Sequence, residues 1–288
     1  MRIDNIEIRP YLLRFKGVPL QPKKGAHLLL SIGDKVITAD LSPLPGWSKE
    51  TLAEAIEELT SLQHIALEDA LLRAKWPSVQ FVLTYAYYHQ TRPLIRKPQE
   101  KCLLYFPHAQ LIETYRRDHA LGFRYFKLKL KDLTPEGAHR LIDQFSLPDT
   151  RLRLDLNRAW SPQEIISLAH QLNPTFVDFI EEPTASPFEL PELPIPIALD
   201  ESLRRTSFEQ LLSTVHFDTV VIKPTMQPHM VALMKQARKA EKNIVLSSSF
   251  ESDVGLDMIA ELALYEHIST PLGIDTKRYH DMSHPALV

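Results

Sequence analysis

The sequence predicts an α/β protein in which a (β/α) barrel follows a small α+β domain. From residue 101 onward, apolar runs of four or five residues alternate with helical patterns. Charged residues end these runs and recur every 19–26 residues, the length of one β/α unit. They are Lys129, Asp155, Glu181, Asp200 and Lys223. Repeated units of this kind form a parallel sheet, and seven or eight of them close into a barrel. An open doubly wound sheet is the alternative, but it would place ligand residues at one switch point.

Residues 1–98 have a different pattern and are predicted to form the α+β domain. Three strands are expected in residues 1–40, with Gly33-Asp34 as the turn of a hairpin. Helices follow, and Ser48 is expected to cap the first of them. Their apolar spacing places them over about 52–62, 65–76 and 79–88. The barrel is predicted over 99–276, and the tail 277–288 is assigned either to the capping domain or to neither.

The segment Gly17–Gly25 lies between two predicted strands and has glycine at each end. Such a loop can move as a unit, and lids exclude water from reactive intermediates. We therefore predict that it orders over a bound substrate. The Lys23-Lys24 pair within it is interpreted as a solvated part of the loop.

Composition excludes several classes of protein. The chain has 288 residues, 44% of them hydrophobic and 24% charged, which is ordinary for a globular protein. Its net charge of −3 and its lack of a long apolar run predict neither a nucleic-acid surface nor a membrane span. The single cysteine, Cys102, and the absence of a signal peptide predict a cytoplasmic location. Oligomeric state is left open, and a monomer is compatible with the sequence.

Strand periodicity predicts which side chains converge at the barrel mouth. Lys127 and Lys129 are two residues apart and therefore point to one face. Arg151, Arg153, Asp155 and Asn157 likewise share a face, with leucines opposite. Singly, each acid could be a helix cap or an ion-pair partner. Together, three carboxylates at successive strand ends predict an oxygen-rich site for a hard divalent cation, flanked by lysines.

These motifs resemble the enolase superfamily and, within it, the o-succinylbenzoate synthase family. The segments that carry the resemblance are Leu41–Ser48, Phe126–Lys129, Leu152–Trp160, Ile180–Pro183, Leu199–Arg204, Val220–Thr225 and Ser247–Ser252. It implies a modified (β/α)7β barrel with a capping domain, and one Mg²⁺, for which Mn²⁺ can substitute. One departure is visible. The family usually has Gly-Glu before Ser-Pro-Leu-Pro-Gly, where this chain has Ala39-Asp40-Leu41.

The resemblance also implies a reaction and a small-molecule carboxylate substrate. The reaction is a syn dehydration of 2-succinyl-6-hydroxy-2,4-cyclohexadiene-1-carboxylate to 2-succinylbenzoate, a step of menaquinone biosynthesis. Asp155, Glu181 and Asp200 are expected to bind the metal, Lys129 to act as base and Lys223 to stabilise the intermediate. Residues expected to support the site or bind substrate are Lys127, Arg153, Asn157, Glu182, Glu201, Ser247, Ser248 and Ser249. The backbone of the last three is expected to bind the succinyl carboxylate.

Two other functions remain open at this point. Two opposed lysines would equally serve a racemase of N-acylamino acids or a dipeptide epimerase, since each lysine could act on one face of the substrate. A metal-binding barrel without catalysis is the alternative from another class, and the presence of both Lys129 and Lys223 argues against it.

Overall fold

The computed structural model describes residues 1–281 of the chain. Its N-terminal part is an antiparallel sheet of β1 (Ile3–Leu13), β2 (Lys23–Ile32) and β3 (Lys35–Leu41), in that order. Three helices follow: α1 (Leu52–Ser61), α2 (Leu67–Arg73) and α3 (Pro77–Thr91). Helix α3 is buried over most of its length because it packs against β3 on one side and against the following domain on the other. The predicted α+β cap is therefore present.

The predicted cap of α1 was wrong. Thr51, not Ser48, precedes the helix, and its side chain and that of Glu54 form a reciprocal capping box. Ser48 instead accepts a hydrogen bond from the backbone N–H of Leu44 at 2.9 Å and closes the turn before the helix. Both residues are good caps, and the capping box selects Thr51 because only Thr51 has a glutamate three positions later.

The second part is a sheet of seven parallel strands arranged in sequence order, with helices between them. The strands are β4 (Cys102–Tyr105), β5 (Tyr125–Lys129), β6 (Arg151–Asp155), β7 (Val177–Glu181), β8 (Ile197–Leu199), β9 (Thr219–Ile222) and β10 (Asn243–Leu246). The α-helices are α4 (Leu111–Ala120), α5 (Pro135–Ile142), α6 (Pro162–Gln171), α7 (Phe208–Thr214), α8 (Met230–Lys239) and α9 (Asp253–Tyr265). Short 3₁₀ helices cover Pro187–Glu189, Glu201–Arg204 and Asp275–Tyr279.

A two-residue segment after α9 joins the two edges of this sheet. Leu272 forms a parallel bridge with Lys101, next to β4, and Gly273 forms one with Ser247, next to β10. Backbone hydrogen bonds continue on both sides, from Cys102 N–H to Leu272 and from Gly273 N–H to Leu246. The ring is thus closed by a minimal eighth strand, as the (β/α)7β prediction requires. Phe179, Ala198, Val221 and Val245 form a separate buried apolar cluster, each contributed by a different strand of the ring.

The last described residues return to the cap. His280 forms an antiparallel bridge with Phe15, and the N–H of Asp281 donates to Arg14 just past the end of β1. The rest of the predicted tail, 282–288, lies outside the described residues. The domain boundary between residues 98 and 99 stays a prediction. Within residues 1–281, no helix is long and apolar enough to cross a membrane.

Candidate active site

The polar strand ends meet at one end of the barrel. Cross-strand register places Lys129, Asp155 and Glu181 side by side in one row, and Lys127 lies in the row beneath, beside Arg153. Asp200 directly follows β8, and Lys223 directly follows β9. Because β5 and β9 lie four places apart in an eight-membered ring, their lysines approach from opposite sides. The structure therefore brings together the five residues that strand-end spacing singled out.

The lysines of β5 contact the acids of the neighbouring strands. Lys127 Nζ lies 2.7 Å from Asp155 Oδ2 and donates to both oxygens of Glu181, also at 2.7 Å. Lys129 Nζ lies 2.5 Å from the same Asp155 oxygen and 3.0 Å from Asn157 Oδ1. One oxygen of Asp155 therefore contacts two ammonium groups. Asn157 also donates to Glu201 Oε1 at 3.3 Å, which links β6 to the loop after β8.

Asp200 is held from the opposite side. Lys223 donates to its Oδ2, and Arg204 donates to its Oδ1 at 2.6 Å. Arg204 was not among the predicted site residues. Arg204 ends the 3₁₀ helix Glu201–Arg204, and its side chain reaches back to Asp200, which directly precedes that helix.

Burial and charge shift the pKa values of the two facing lysines in opposite directions. Burial lowers the pKa of Lys129, the charges of Lys127 and Lys223 lower it further, and Asp155 only partly opposes them. Burial would also lower the pKa of Lys223, but Asp200 and Glu201 outweigh it, so that pKa is raised. Lys129 is therefore the easier of the two to deprotonate.

Glu182, next in the chain to Glu181, supports the site from behind. Its Oε1 accepts from the backbone N–H groups of Asp200 at 2.8 Å and Ser202 at 2.7 Å. Burial and the charge of Glu201 raise the pKa of Glu182 to about 7, although these hydrogen bonds oppose the shift. Glu182 fixes the backbone at Asp200, and we assign it a positioning role.

Arg153 lies within the barrel but does not reach the mouth. Its Nε donates to Asp178 Oδ2 at 2.8 Å and its Nη1 to the carbonyl oxygen of Pro271 at 2.8 Å. The guanidinium also lies over the ring of Phe179, 4.9 Å from the centroid. These partners make Arg153 a brace between β6, β7 and the segment that closes the ring. Strand parity predicted correctly that Arg153 faces the barrel interior, but it did not predict how far from the mouth Arg153 lies.

The predicted carboxylate binding by the backbone of Ser247–Ser249 stays a prediction, and the structure gives these N–H groups other partners. All three N–H groups already have partners within the protein: Ser247 donates to Ile222, Ser248 to Gly273, and Ser249 to Glu251 Oε2 at 2.7 Å. Their hydroxyl groups are also hydrogen-bonded. These serines line the cavity, but their backbone is not a free donor set for a carboxylate.

A cavity of about 480 Å³ opens above the strand ends. Its charged wall contains Lys127, Lys129, Lys131 and Lys223, with Asp132 and Glu201 as the acidic members. Apolar side chains line the rest of the cavity, among them Leu20, Trp47, Phe106, Leu133, Met226 and Phe250. Gly17, Pro19 and Leu20 bring the predicted lid loop to this cavity. Whether the loop closes stays a prediction.

Lys23 was wrongly interpreted as a solvated loop residue. It begins β2, is 1% exposed, and donates to the carbonyl oxygens of Ser249 at 2.9 Å and Phe250 at 3.2 Å. Lys24 beside it is exposed. The predicted strand began at residue 27. A strand that began at residue 23 would have placed Lys23 and Lys24 on opposite faces, one buried and one exposed. Lys23 thus ties the cap to the turn that carries Phe250 into the cavity wall.

Asp40 forms a second tie between cap and barrel. Its Oδ1 accepts from the hydroxyl of Tyr11 at 2.7 Å, and its Oδ2 accepts from Ser252 Oγ at 3.0 Å. Ser252 caps α9, so the departure from the usual Gly-Glu pair places a buried acid directly on that cap. A side chain at Gly255 would collide with this carboxylate, which explains glycine at that position of the helix.

The donor set fits a hard divalent cation. Asp155, Glu181 and Asp200 are at most 1% exposed, and oxygen ligands of this type are those that Mg²⁺ takes. As the side chains are placed, no three His, Cys, Asp or Glu groups within residues 1–281 are close enough to hold a metal ion. An ammonium group lies against each of the three carboxylates, Lys127 against Asp155 and Glu181 and Lys223 against Asp200.

Comparisons with known proteins agree with this architecture. The family model "Enolase C-terminal domain-like" matches residues 110–283. The o-succinylbenzoate synthase of Aliivibrio salmonicida is 30% identical over 271 residues, which cover 89% of this chain and 83% of that protein. Among solved structures, o-succinylbenzoate synthase from Thermosynechococcus elongatus BP-1, with Mg in the active site, superposes with a TM-score of 0.79 at 20% identity, covering 98% of this chain and 95% of the other.

An epimerase shares the fold to the same degree. The L-Ala-D/L-Glu epimerase of Bacillus subtilis has a TM-score of 0.83 at 16% identity and covers 98% of this chain and 92% of its own. At such identities the likeness shows the fold alone, and it does not separate dehydration from epimerisation. The matched family model and the 30% identical relative together establish that this chain belongs to the enolase superfamily.

Proposed function

We propose that the protein is an o-succinylbenzoate synthase, which dehydrates 2-succinyl-6-hydroxy-2,4-cyclohexadiene-1-carboxylate to 2-succinylbenzoate in menaquinone biosynthesis. The observation that carries the chemistry is that Lys129 and Lys223 face one cavity from opposite strands, with three buried carboxylates beside them. The identity to o-succinylbenzoate synthases over most of the chain supports this choice of substrate. Small-molecule sites are typically clefts with apolar lining and a few convergent polar groups, and this cavity has both.

Lys129 acts as the general base in this proposal. Its neutral Nζ removes the proton from C1, next to the ring carboxylate, and the electron pair forms an enediolate. The C6–O bond then breaks, and the Lys129 ammonium returns the proton to the leaving hydroxyl, which departs as water. One residue on one face of the ring performs both transfers, which gives a syn elimination. The carbon ring becomes aromatic, so the second step is strongly favourable.

Lys223 stays protonated and places its charge opposite the base. The enediolate has two negative oxygens, and a fixed cation in a buried site stabilises such charge far more than it would in water. Asp155, Glu181 and Asp200 would hold Mg²⁺, which when bound supplies a Lewis acid for the substrate carboxylate. Asn157 and Glu182 position this set through the contacts described above.

Turnover of the purified diene substrate with Mg²⁺ is the direct test. Loss of the diene chromophore should accompany formation of 2-succinylbenzoate, identified by mass. The alternative epimerase is favoured by one observation, the opposed lysine pair, and is tested by α-proton exchange of N-succinyl amino acids in D₂O. Exchange without dehydration would replace the proposal with an epimerase. The absence of both reactions would favour a metal-binding barrel without catalysis.

Metal binding is tested separately from turnover. Titration of Mg²⁺ by calorimetry should give one site, and Glu181→Gln should clearly weaken it, because a carboxylate ligand becomes a neutral amide. Arg153→Gln is a control in the same ring, since Arg153 binds away from the mouth. Unchanged affinity in the Glu181 variant would remove this residue from the ligand set.

Lid closure is tested by limited proteolysis. Lys16 is exposed and directly precedes Gly17, so trypsin can cut at the start of the loop. With 2-succinylbenzoate and Mg²⁺ bound, cleavage there should slow several-fold, because an ordered loop resists proteolysis. Equal cleavage with and without ligand would show that the loop does not act as a lid.

A further inference from the structure

We propose that Lys131 binds the second carboxylate of a dicarboxylate substrate at the rim of the cavity. The inference rests on the proposed function for the identity of the ligand, but its evidence is separate. Lys131 lines the same cavity as Lys129 and follows the end of β5 by two residues. It lies outside the segments from which the site residues were predicted.

Elimination among the cations of the cavity wall points to this residue. Lys127 is engaged by Asp155 and Glu181, Lys129 by Asp155 and Asn157, and Lys223 by Asp200. Lys131 has no hydrogen bond or ion pair within the part of the chain that the structure describes. It is therefore the cation of this wall whose charge is not already matched by a side chain of the protein.

The backbone donors of the serine segment in the wall are occupied. The N–H groups of Ser247, Ser248 and Ser249 bind protein oxygens, so a remote carboxylate does not find its donors there. Three of the four lysines of the wall are paired with buried carboxylates, so Lys131 is the lysine left to attract an anionic ligand.

The shape of the cavity suits the connecting chain of such a ligand. Leu133 and Phe106 line the cavity on the β4 and β5 side, where Lys131 also lies. Apolar side chains accept a ring and two methylene groups, while the ring carboxylate remains at the strand ends. An exposed lysine is usually only solvated, but an exposed lysine at the mouth of a closed polar site can also select charged ligands.

Binding of two ligands that differ in the remote carboxylate tests the proposal. The probes are 2-succinylbenzoate and benzoate, each titrated with Mg²⁺ into the full chain. Lys131→Met should lower the affinity for 2-succinylbenzoate by about three- to tenfold, the range expected for a partly exposed ion pair. Benzoate should bind equally to both proteins. Lys131→Arg should restore most of the lost affinity, because the role needs only a cation.

Lys97→Met is the matched control, since Lys97 is exposed, has no partner within residues 1–281 and does not line the cavity. Unchanged affinity for 2-succinylbenzoate in Lys131→Met, an equal loss for both ligands, or wild-type protein that binds benzoate as tightly as 2-succinylbenzoate would each overturn the proposal. Dehydration of the diene is measured on the wild type alone. Its absence together with Lys131-dependent dicarboxylate binding would refute the proposed function and leave this site standing.

Discussion

Lys129 and Lys223 occupy similar surroundings and differ in the direction of their pKa shifts. Their side chains are 18% and 14% exposed, and each contacts one aspartate. Asp155, however, is shared between Lys129 and Lys127, so two cations compete for one carboxylate. Asp200 is shared with Arg204, but Glu201 adds negative charge near Lys223. The comparison teaches that the sum of nearby charges, rather than the direct partner alone, sets the direction of each pKa shift.

The largest effect is expected from Lys129→Ala. Removal of the base should lower turnover by about 10³-fold or more, within the range found for general acid–base groups that act in two steps. Binding of Mg²⁺ and 2-succinylbenzoate should persist, which shows that the fold and the metal site are intact. Lys129→Arg should be equally inactive, because a guanidinium does not lose its proton at neutral pH. Turnover near the wild-type rate in either variant would remove Lys129 from the mechanism.

Lys223→Ala should reduce turnover by about 10²-fold, the loss that follows removal of one electrostatic group from a buried site. The informative variant is Lys223→Arg, which keeps the charge and should recover part of the rate. Substitution by arginine therefore distinguishes the roles of the two lysines, because arginine can replace a cation but cannot act as a base at neutral pH. If Lys129→Arg recovered activity and Lys223→Arg did not, the two roles would have to be exchanged.

Much of the geometry of the site was predictable from the sequence. Apolar runs that end in Asp155 and Glu181 fixed the strand ends, and the register places those residues in one row with Lys129. Parity is a local property of each strand, so it predicted faces correctly for Lys127 and Lys129. The spacing of about one β/α unit between these strand ends correctly predicted a ring of parallel strands.

The remaining features depend on contacts between distant parts of the chain. Lys23 reaches Ser249 across 226 positions of sequence, and no local pattern marks a buried lysine. The occupied N–H groups of Ser247 and Ser248 depend on Ile222 and Gly273, and the latter belongs to a two-residue strand too short to predict. Arg153 shares a face with Asp155 but lies one row deeper, a difference that parity does not express.

Lys127→Ala is expected to have the smallest effect on the rate and the clearest effect on pH dependence. Lys127 lies one row below Lys129, and its charge lowers the pKa of that base. Without it, the pKa of Lys129 rises, and a base with a raised pKa is neutral only at higher pH. The rising limb of the profile of kcat against pH should therefore move to higher pH, with a loss of about tenfold at neutral pH. The measurement is that profile for wild type and variant, with Lys24→Ala as an exposed control on the cap. A limb that stayed in place, or moved to lower pH, would show that Lys127 does not tune the base, and complete loss of proton abstraction at every pH would make Lys127 itself the base.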